Sequence, residues 1–356
     1  MKWLKALRVG HPRICLFGRS FSAPRTSTHI LCPQSIRIHH LHSTTTRHFH
    51  LHPTLNAVRG ILFTPKSIPT SARRMIPMAD SIQVGNVEIV AVLDMIPPPR
   101  DPTIFIRDHP REAWAPYEDE VLENGLLQLY YGSFFVRSQG KIILVDTGMG
   151  PGPHAHLENR TGDLIGQMRA KGVAAEDVDI VIHTHLHPDH VGWNVDSSGD
   201  TDKPYFPGAQ YLGPRKDWEH FMQPDVLPEA SHISENVIPL NDLGLIEFID
   251  DGHNVTDEIT TLETPGHTPG HQVILISSQG EKAAIIGDLI HNPVQIYEPD
   301  WCAFVDTSPE DTRRSRKAFM DRAEREEMLV AAGHFHPDRH VGRFARLEGR
   351  RYWQAV

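Results

Sequence analysis

Cysteine is scarce in this chain, and no apolar run is long enough to cross a membrane. The three cysteines in 356 residues are Cys15, Cys32 and Cys302, and only Cys302 lies in the part with the composition of a folded domain. That part therefore has no internal disulfide framework, which suits a reducing compartment rather than secretion. A bilayer span needs about 20 apolar residues, and no stretch approaches that length. The sequence thus predicts a protein that is neither secreted nor inserted in a membrane.

Acidic residues are absent from the first 79 positions, which hold 12 of the 35 Lys and Arg residues. All 45 acidic residues come later, against the remaining 23 basic ones, for a formal charge of −22 after residue 79. Such an acidic remainder argues against a nucleic-acid partner, whose phosphates need a basic surface.

An Arg-rich, Ser-rich and acid-free head is typical of a mitochondrial transit peptide. The alternative, given equal weight, is that the functional protein starts at Met75 or Met78 and the residues before it are a gene-model extension. Because it has many prolines and no sustained periodicity, the head is predicted to be a disordered extension over residues 1–79. Residues 80–356 are predicted to form one domain, and the protein is expected to be mitochondrial or cytoplasmic.

The most distinctive motif reads H-x-H-x-D-H and consists of His185, His187, Asp189 and His190. It follows a β-branched apolar run at 178–182, which indicates a buried strand. A loop that leaves a strand end can turn alternate side chains toward one point. His185 and His187 are then predicted to meet one ion. Asp189 and His190 are predicted to meet a neighbouring one, and imidazole with carboxylate suits zinc, iron, manganese or cobalt.

Three later segments supply further donors, each where a predicted strand meets a tight turn. The donors are His267 after Pro265-Gly266, Asp288 after Gly287, and His334 after Gly333. His271 and His336 stand close to His267 and His334 in the sequence and are their alternatives. A structural zinc site is usually four-coordinate and often rich in thiolates, so seven His and Asp donors without cysteine favour a catalytic pair of metals.

Taken in order, these four motifs resemble the metallo-β-lactamase superfamily over roughly residues 82–345. The resemblance implies an α/β fold of the αββα sandwich type. It also implies that Asp146, after the apolar run 142–145, steadies the ligand loop. It assigns donors to two metals: His185, His187 and His267 to the first, Asp189, His190 and His334 to the second, and Asp288 as the bridge.

The segments Gly287–His291 and 293–296, with the later Asp306-x-x-Pro309, resemble the methyl parathion hydrolase-like branch, and quorum-quenching lactonases share its ligand set. The resemblance implies a hydrolase of an ester, lactone or phosphotriester, in which two divalent ions hold a bridging hydroxide. Zinc is the first choice of metal, with manganese, iron or cobalt as alternatives. Asp189 and Asp288 are the expected catalytic residues, and Asp189 is also expected to handle a proton. Lactonases often carry a Tyr near the bridging Asp, where this chain has His291.

Two other classes of enzyme share the H-x-H-x-D-H motif. Persulfide dioxygenases use one iron bound by two His and one Asp, and can be mitochondrial. Glyoxalase II hydrolyses a glutathione thioester. In every case the partner is a small molecule, and the branch resemblance implies a homodimer.

The remaining expectations concern secondary structure. Alternation predicts one half-buried strand over Ile82–Val92, and periodicity predicts an amphipathic helix over 154–171. A long helix is predicted over Pro309–Val330, with Ser308 as its cap. Residues 96–124 form a proline-bearing, aromatic loop, which is either part of a substrate wall or a surface excursion packed on the core.

Overall fold

The structure is a computed structural model and describes residues 81–356. The predicted extension over residues 1–79 lies outside the described residues. The strands are β1 (Ser81–Val84), β2 (Val87–Met95), β3 (Tyr131–Ser138), β4 (Lys141–Val145), β5 (Ile180–Ile182), β6 (Val195–Asp196), β7 (Lys203–Pro204), β8 (Gln210–Pro214), β9 (Ile246–Ile249), β10 (Ile259–Glu263), β11 (Gln272–Ser278), β12 (Glu281–Ile285), β13 (Leu329–Ala331), β14 (Val341–Leu347) and β15 (Arg350–Ala355).

Most of the helices are short. The α-helices are α1 (Pro102–Phe105), α2 (Glu118–Val121), α3 (Leu164–Ala170), α4 (Pro188–Val191), α5 (Arg215–Phe221), α6 (Ser231–Asn236), α7 (Ile238–Asp242), α8 (Val294–Tyr297) and α9 (Pro309–Arg325). Single 3₁₀ turns cover Arg111–Trp114, Ala155–Leu157, Ala175–Asp177, Leu227–Glu229, Gly287–Leu289 and Pro337–Arg339. None of these helices is both long and apolar enough to span a bilayer.

Two mixed sheets face each other across a shared apolar core. The first has the strand order β1-β2-β3-β4-β5-β8-β9 and the second the order β10-β11-β12-β13-β14-β15. Phe134 and Ile143 from the first sheet pack in one cluster with Ile274 and Ile285 from the second. On the outer faces, α3 covers the first sheet and α9 covers the second. The layer order is therefore helix, sheet, sheet, helix, and the αββα prediction is confirmed.

Parallel pairing brings several strand ends to one edge of the sandwich. In the first sheet β4 runs parallel to β5, with Ile143 opposite Ile180. In the second sheet β12 runs parallel to β13, with Ala283 opposite Leu329. Because the carboxyl ends of parallel strands face the same way, the loops that follow them converge, as they do around ligands in many α/β proteins.

The single strand expected over Ile82–Val92 was wrong, because the chain folds there into the hairpin of β1 and β2. Its two-residue turn is Gly85-Asn86, and Gly85 has a φ of +56°. Gly and Asn at a two-residue loop are typical of hairpin turns. A side chain at Gly85 would also meet the Ser278 carbonyl oxygen at 2.4 Å, so this turn requires glycine.

The two helices predicted over 154–171 and Pro309–Val330 are both shorter in the structure. The periodic segment 154–171 holds a single 3₁₀ turn and the α-helix α3, because Glu158 and Asn159 adopt left-handed φ values of 56° and 59° that no continuous helix allows. At the other site, α9 begins at the predicted cap, where Ser308 accepts a hydrogen bond from Asp311 N. It stops at Arg325, since the apolar residues that follow form β13 instead.

Asp94, near the end of β2, connects four parts of the first sheet's outer layer. Its Oδ1 accepts hydrogen bonds from Leu164 N (3.0 Å) and Trp193 Nε1 (2.8 Å). Its Oδ2 accepts one from Met149 N (2.7 Å), in the loop after β4. Burial raises the pKa of Asp94 to about 6, against the lowering effect of these donors.

Candidate metal centre

A first group of donors forms where the loops after β5, β10 and β12 meet. The donor atoms of its four members lie within 4.8 Å of one another. His187 is central to the group, because its Nδ1 lies 3.1 Å from His185 Nε2 and 2.9 Å from His267 Nε2. Its members are His185, His187, His267 and Asp288.

A second group lies beside the first and consists of Asp189, His190 and His334, again with donor atoms within 4.8 Å. Asp189 and His190 stand in the short helix α4, and His334 follows β13. The two Asp189 oxygens lie 3.8 Å from the Nε2 atoms of His190 and His334.

The Asp288 carboxylate stands between the two groups. Its Oδ2 is 3.1 Å from His267 Nε2 and 3.7 Å from His185 Nε2. Its Oδ1 is 3.1 Å from His190 Nε2 and 3.0 Å from His334 Nε2. One oxygen faces each group, which is the placement that a carboxylate bridging two ions needs.

The chemistry and spacing of these side chains fit two divalent ions. Two nitrogen ligands on one tetrahedral zinc lie about 3.3 Å apart, given Zn–N bonds of about 2.0–2.1 Å, and the nitrogen pairs here are 2.9 and 3.1 Å apart. His190 Nε2 and Asp288 Oδ1 are buried, and neither finds a hydrogen-bond partner among the described residues. Buried polar atoms without a partner are costly, and bound cations would satisfy them.

A family model described as the metallo-beta-lactamase superfamily matches residues 132–334, more than half of the chain. The chain belongs to the metallo-beta-lactamase superfamily. The matched segment begins in β3 and ends at His334, so it contains all seven donors of the two groups.

Two curated proteins that resemble this chain come from bacteria. The N-acyl homoserine lactonase AttM of Rhizobium radiobacter is 28% identical over 177 residues, which are 48% of this chain and 63% of the relative. The chain therefore spans less than two thirds of that relative's length. The N-acyl homoserine lactonase of Bacillus thuringiensis is 23% identical over 227 residues, 59% of this chain and 82% of the relative. Since both organisms are bacteria, these relatives give no support to mitochondrial import.

Solved structures support the superfamily fold over most of the chain. AidC, described as a dizinc quorum-quenching lactonase in complex with a product, aligns with a TM-score of 0.67 at 23% identity, over 78% of this chain and 96% of that one. The hydrolase AbOPH, described as a beta lactamase superfamily member, aligns with the same score at 24% identity and the same coverage. At these identities the two structures establish a shared fold.

In several donor histidines, the ring nitrogen that points away from the centre lies within hydrogen-bond distance of an acceptor oxygen. His190 Nδ1 lies 2.9 Å from Asp146 Oδ2, and His267 Nδ1 lies 2.9 Å from Asp306 Oδ1. His334 Nδ1 lies 2.8 Å from the Tyr130 carbonyl oxygen. Such partners fix the tautomer and the ring orientation of metal-binding histidines. Sequence reasoning anticipated this kind of role for Asp146 but not for Asp306.

Asp217 was missed by sequence reasoning, although it connects two ligand loops. It is fully buried in α5, and its Oδ2 accepts hydrogen bonds from Leu186 N (3.0 Å) and Thr268 Oγ1 (2.9 Å). Its Oδ1 accepts one from Gly270 N (2.6 Å). Leu186 lies between two donors of the first group, and Thr268 directly follows His267. The residue carries no motif signal, because a lone Asp in an amphipathic helix predicts a solvated position.

The alternative histidines lie in other surroundings. His336 has a side chain that is 44% exposed and caps a 3₁₀ turn by accepting from Asp338 N. His271 is buried, but its Nε2 accepts a hydrogen bond from Asp288 N at 3.0 Å, so it supports the backbone of that donor. The structure thus places His334 in the donor groups and the two alternatives outside them.

His291 was not predicted as a donor, yet it lies against the centre. Its Nε2 is 3.2 Å from Asp288 Oδ2, and its ring stacks on that of His334 with centroids 5.5 Å apart. The ring is buried, and neither of its nitrogens has a hydrogen-bond partner among the described residues. It stands three residues after Asp288, so the tyrosine expected near the bridging Asp of a lactonase is a histidine in this chain.

Burial and the Asp288 carboxylate act in opposite directions on the donor histidines. Burial acts to lower the pKa of His190, His267 and His334, but Asp288 raises it, for His267 to about 9. Burial, with the neighbouring His190, holds the pKa of His185 well below its ordinary value, and burial with His267 does the same for His187. For Asp288, burial acts to raise the pKa, but the surrounding histidines, led by His334, hold it well below its ordinary value. Neutral imidazole and ionised carboxylate are the forms that bind metal.

Aromatic side chains pack against two histidines of the centre. From the long loop after β2, Phe105 packs edge-on against His291 with ring centroids 5.2 Å apart, and against Phe304 at 5.9 Å. From the start of β3, Tyr131 packs edge-on against His334 at 5.7 Å. The aromatic loop therefore reaches the centre through Phe105, which belongs to the same apolar cluster as the fully buried Trp114 of that loop.

Proposed function

We propose that this chain is a dinuclear metal-dependent hydrolase that opens lactones and related esters. The observation that carries the proposal is the Asp288 carboxylate, which offers one oxygen to each of two donor groups. The similarity to N-acyl homoserine lactonases supports a lactone as the substrate class.

The donors His185, His187 and His267 would hold one ion, and Asp189, His190 and His334 the other, with Asp288 between them. When bound, two such ions lower the pKa of a coordinated water toward neutrality and polarise a substrate oxygen. Zinc suits the imidazole-rich donor set best, with manganese, iron or cobalt as alternatives.

Asp189 is the candidate for proton movement. Hydrolysis of a lactone adds OH to the carbonyl carbon, breaks the ring C–O bond and puts a proton on the leaving oxygen. The Asp189 side chain is 18% exposed, against 5% for that of Asp288. A carboxylate oxygen of Asp189 can therefore take a proton from water and pass it to the leaving oxygen, while the buried Asp288 stays in place.

Phe105 and Tyr131 would orient the substrate and limit the access of water. Both rings lie beside donor-group histidines or their neighbours, and they would contact the apolar part of a substrate bound at the centre. An aryl ester or a phosphotriester has an apolar body that would contact the same two rings, so both are secondary substrates of the proposal. Seven donors lie close together, which favours two ions over the single iron of a persulfide dioxygenase.

The test measures metal content and turnover on the same preparation of the full chain. Elemental analysis accompanies assays with an N-acyl homoserine lactone, an aryl ester, a phosphotriester, a glutathione thioester and glutathione persulfide. We expect two metals per chain and lactone hydrolysis. His185→Ala and Asp288→Ala should lose metal and activity together, whereas His336→Ala, at an exposed histidine, should keep both.

One iron per chain with oxygen uptake on the persulfide would replace the proposal with a dioxygenase. Hydrolysis that persists in a metal-free Asp288→Ala variant would show that the reaction does not need this centre.

A further inference from the structure

Arg100 is a half-buried cation without an acidic partner, at the edge of the proposed active site. No carboxylate of the described residues lies within 4.0 Å of its guanidinium, whereas Arg111 pairs with Glu118 and Arg137 with Glu88. This is unexpected in a segment whose 45 acidic residues outnumber its 23 basic ones. A half-buried guanidinium has lost part of its hydration, and no carboxylate of the described residues balances the charge of this one.

The position of Arg100 is fixed by its backbone. Its N–H donates to the Leu127 carbonyl oxygen (3.0 Å), and its own carbonyl accepts from Leu127 N (2.8 Å). Leu127 is fully buried, and three prolines, residues 97–99, precede Arg100 in the chain. The side chain therefore starts from a rigid point rather than from a free loop.

The guanidinium completes a ring of contacts on one side of the centre. It lies 5.9 Å from the centroid of the Phe105 ring, which packs on His291. It also lies beside Tyr131, whose ring packs on His334. His291 and His334 stack on each other and close the ring. A group held by Arg100 would thus lie on the side of the centre that His334 and Asp189 occupy.

Two exposed apolar side chains adjoin Phe105, the ring that lies under Arg100: Ile104 precedes it in the chain and Phe304 packs edge-on against it. Ile104 is 55% exposed and Phe304 is 43% exposed. Arg107 lies over the Phe304 ring at 4.2 Å, and no carboxylate of the described residues pairs with it. A ligand that fits here has an apolar body and a negative charge at one end.

We infer that Arg100, together with the Tyr131 hydroxyl, binds a carboxylate of the substrate, so that the preferred substrates are esters or lactones that carry an acid group near the scissile bond. Arg100 is then a specificity-determining residue, and the inference rests on the proposed hydrolase function. The guanidinium can give two parallel N–H donors to a carboxylate, and Tyr131 can give a third. Ile104 and Phe304 would contact the apolar part of the same substrate.

The first test compares two p-nitrophenyl esters that differ only in charge. p-Nitrophenyl glutarate has a free carboxylate, and its methyl ester has none, while the scissile aryl ester bond is the same. We expect the wild type to prefer the acid. Arg100→Gln should lower kcat/KM for the acid about tenfold or more, the size expected for one lost charge-assisted hydrogen bond, and change the methyl ester less than about twofold by the same reasoning. Arg100→Lys should recover part of the loss, and Arg169→Gln, at an exposed arginine on α3, should behave as wild type.

The second test does not depend on catalysis. Binding of monomethyl glutarate, a monoanion, is measured by NMR on chelator-treated, metal-free protein, so that no carboxylate–metal contact contributes. Arg100→Gln should weaken this binding about tenfold, and Arg169→Gln should not. Circular dichroism confirms that each variant is folded. If Arg100→Gln does not fold, Arg100→Lys serves as the variant in the same comparison.

The outcomes separate the two proposals. If wild type cleaves neither ester nor any lactone, the proposed function fails, while the binding test still decides the role of Arg100. If wild type cleaves both esters but Arg100→Gln leaves the preference between them unchanged, Arg100 does not read substrate charge and the inference is wrong. Equal binding of monomethyl glutarate by wild type and Arg100→Gln would overturn it as well.

Discussion

Replacing Asp217 by Ala should damage both the stability of the fold and its affinity for metal. The carboxylate accepts three hydrogen bonds, two from the backbone N–H groups of Leu186 and Gly270 and one from the Thr268 hydroxyl. In the Ala variant the hydroxyl can turn to another acceptor, but the two N–H groups stay buried without one. Each such group costs about 1–3 kcal/mol, so we expect a loss of about 4 kcal/mol.

Two considerations set the scale of that loss. Burial raises the pKa of Asp217 to about 6, so the native carboxylate already carries a desolvation cost that the Ala variant avoids, which makes 4 kcal/mol an upper figure. Domains of this size lose about 2–4 °C of Tm per kcal/mol, so the melting temperature should fall by about 10 °C. Asp217→Asn keeps the shape and one acceptor oxygen, and should lose about half as much.

The assay is thermal unfolding of the metal-free protein, followed by titration of zinc against a chromophoric chelator. Metal affinity should fall as well, because the loops that carry His187 and His267 lose their common anchor. Glu219→Ala, at an exposed acid in the same helix, is the control. A metal-free Asp217→Ala protein that melts within about 1 °C of wild type would refute the reasoning, since even one unpaired N–H should cost more.

Two further predictions concern other buried acids. Asp306→Ala removes the acceptor of His267 Nδ1 and should lower metal affinity about 10–100-fold. The same chelator titration measures this affinity, and an unchanged value would show that Asp306 does not orient the His267 ring. The Asp94 pKa is raised from 3.8 to about 6, so between those pH values the folded protein keeps a proton that the unfolded chain has released, and stability falls as pH rises. Relative to Asp94→Asn, which cannot titrate, wild type should lose about 3 kcal/mol at most between pH 4 and 7 in urea unfolding, and a difference that does not change with pH would contradict this.

Local patterns determined which features the sequence could predict. The donor motifs could be recognised because each lies in one short segment after an apolar strand, and the resemblance that these motifs carry implied the sandwich. The contacts of Asp217, Asp306 and Arg100 join segments far apart in the chain, and no periodicity or spacing marks them. The helix over 154–171 was overestimated for a different reason. Its apolar spacing continues through Glu158 and Asn159, whose left-handed backbone is set by the surrounding fold.

The donors of the centre come from both halves of the sandwich, and this has a consequence for how the protein depends on metal. His187 and Asp189 follow a strand of the first sheet, whereas Asp288 and His334 follow strands of the second. An ion bound by both sets acts as a cross-link between the two sheets. By mass action, free metal at a thousand times its Kd would add about 4 kcal/mol to the free energy of unfolding. Metal supply would then govern how long each molecule survives as well as how fast it works.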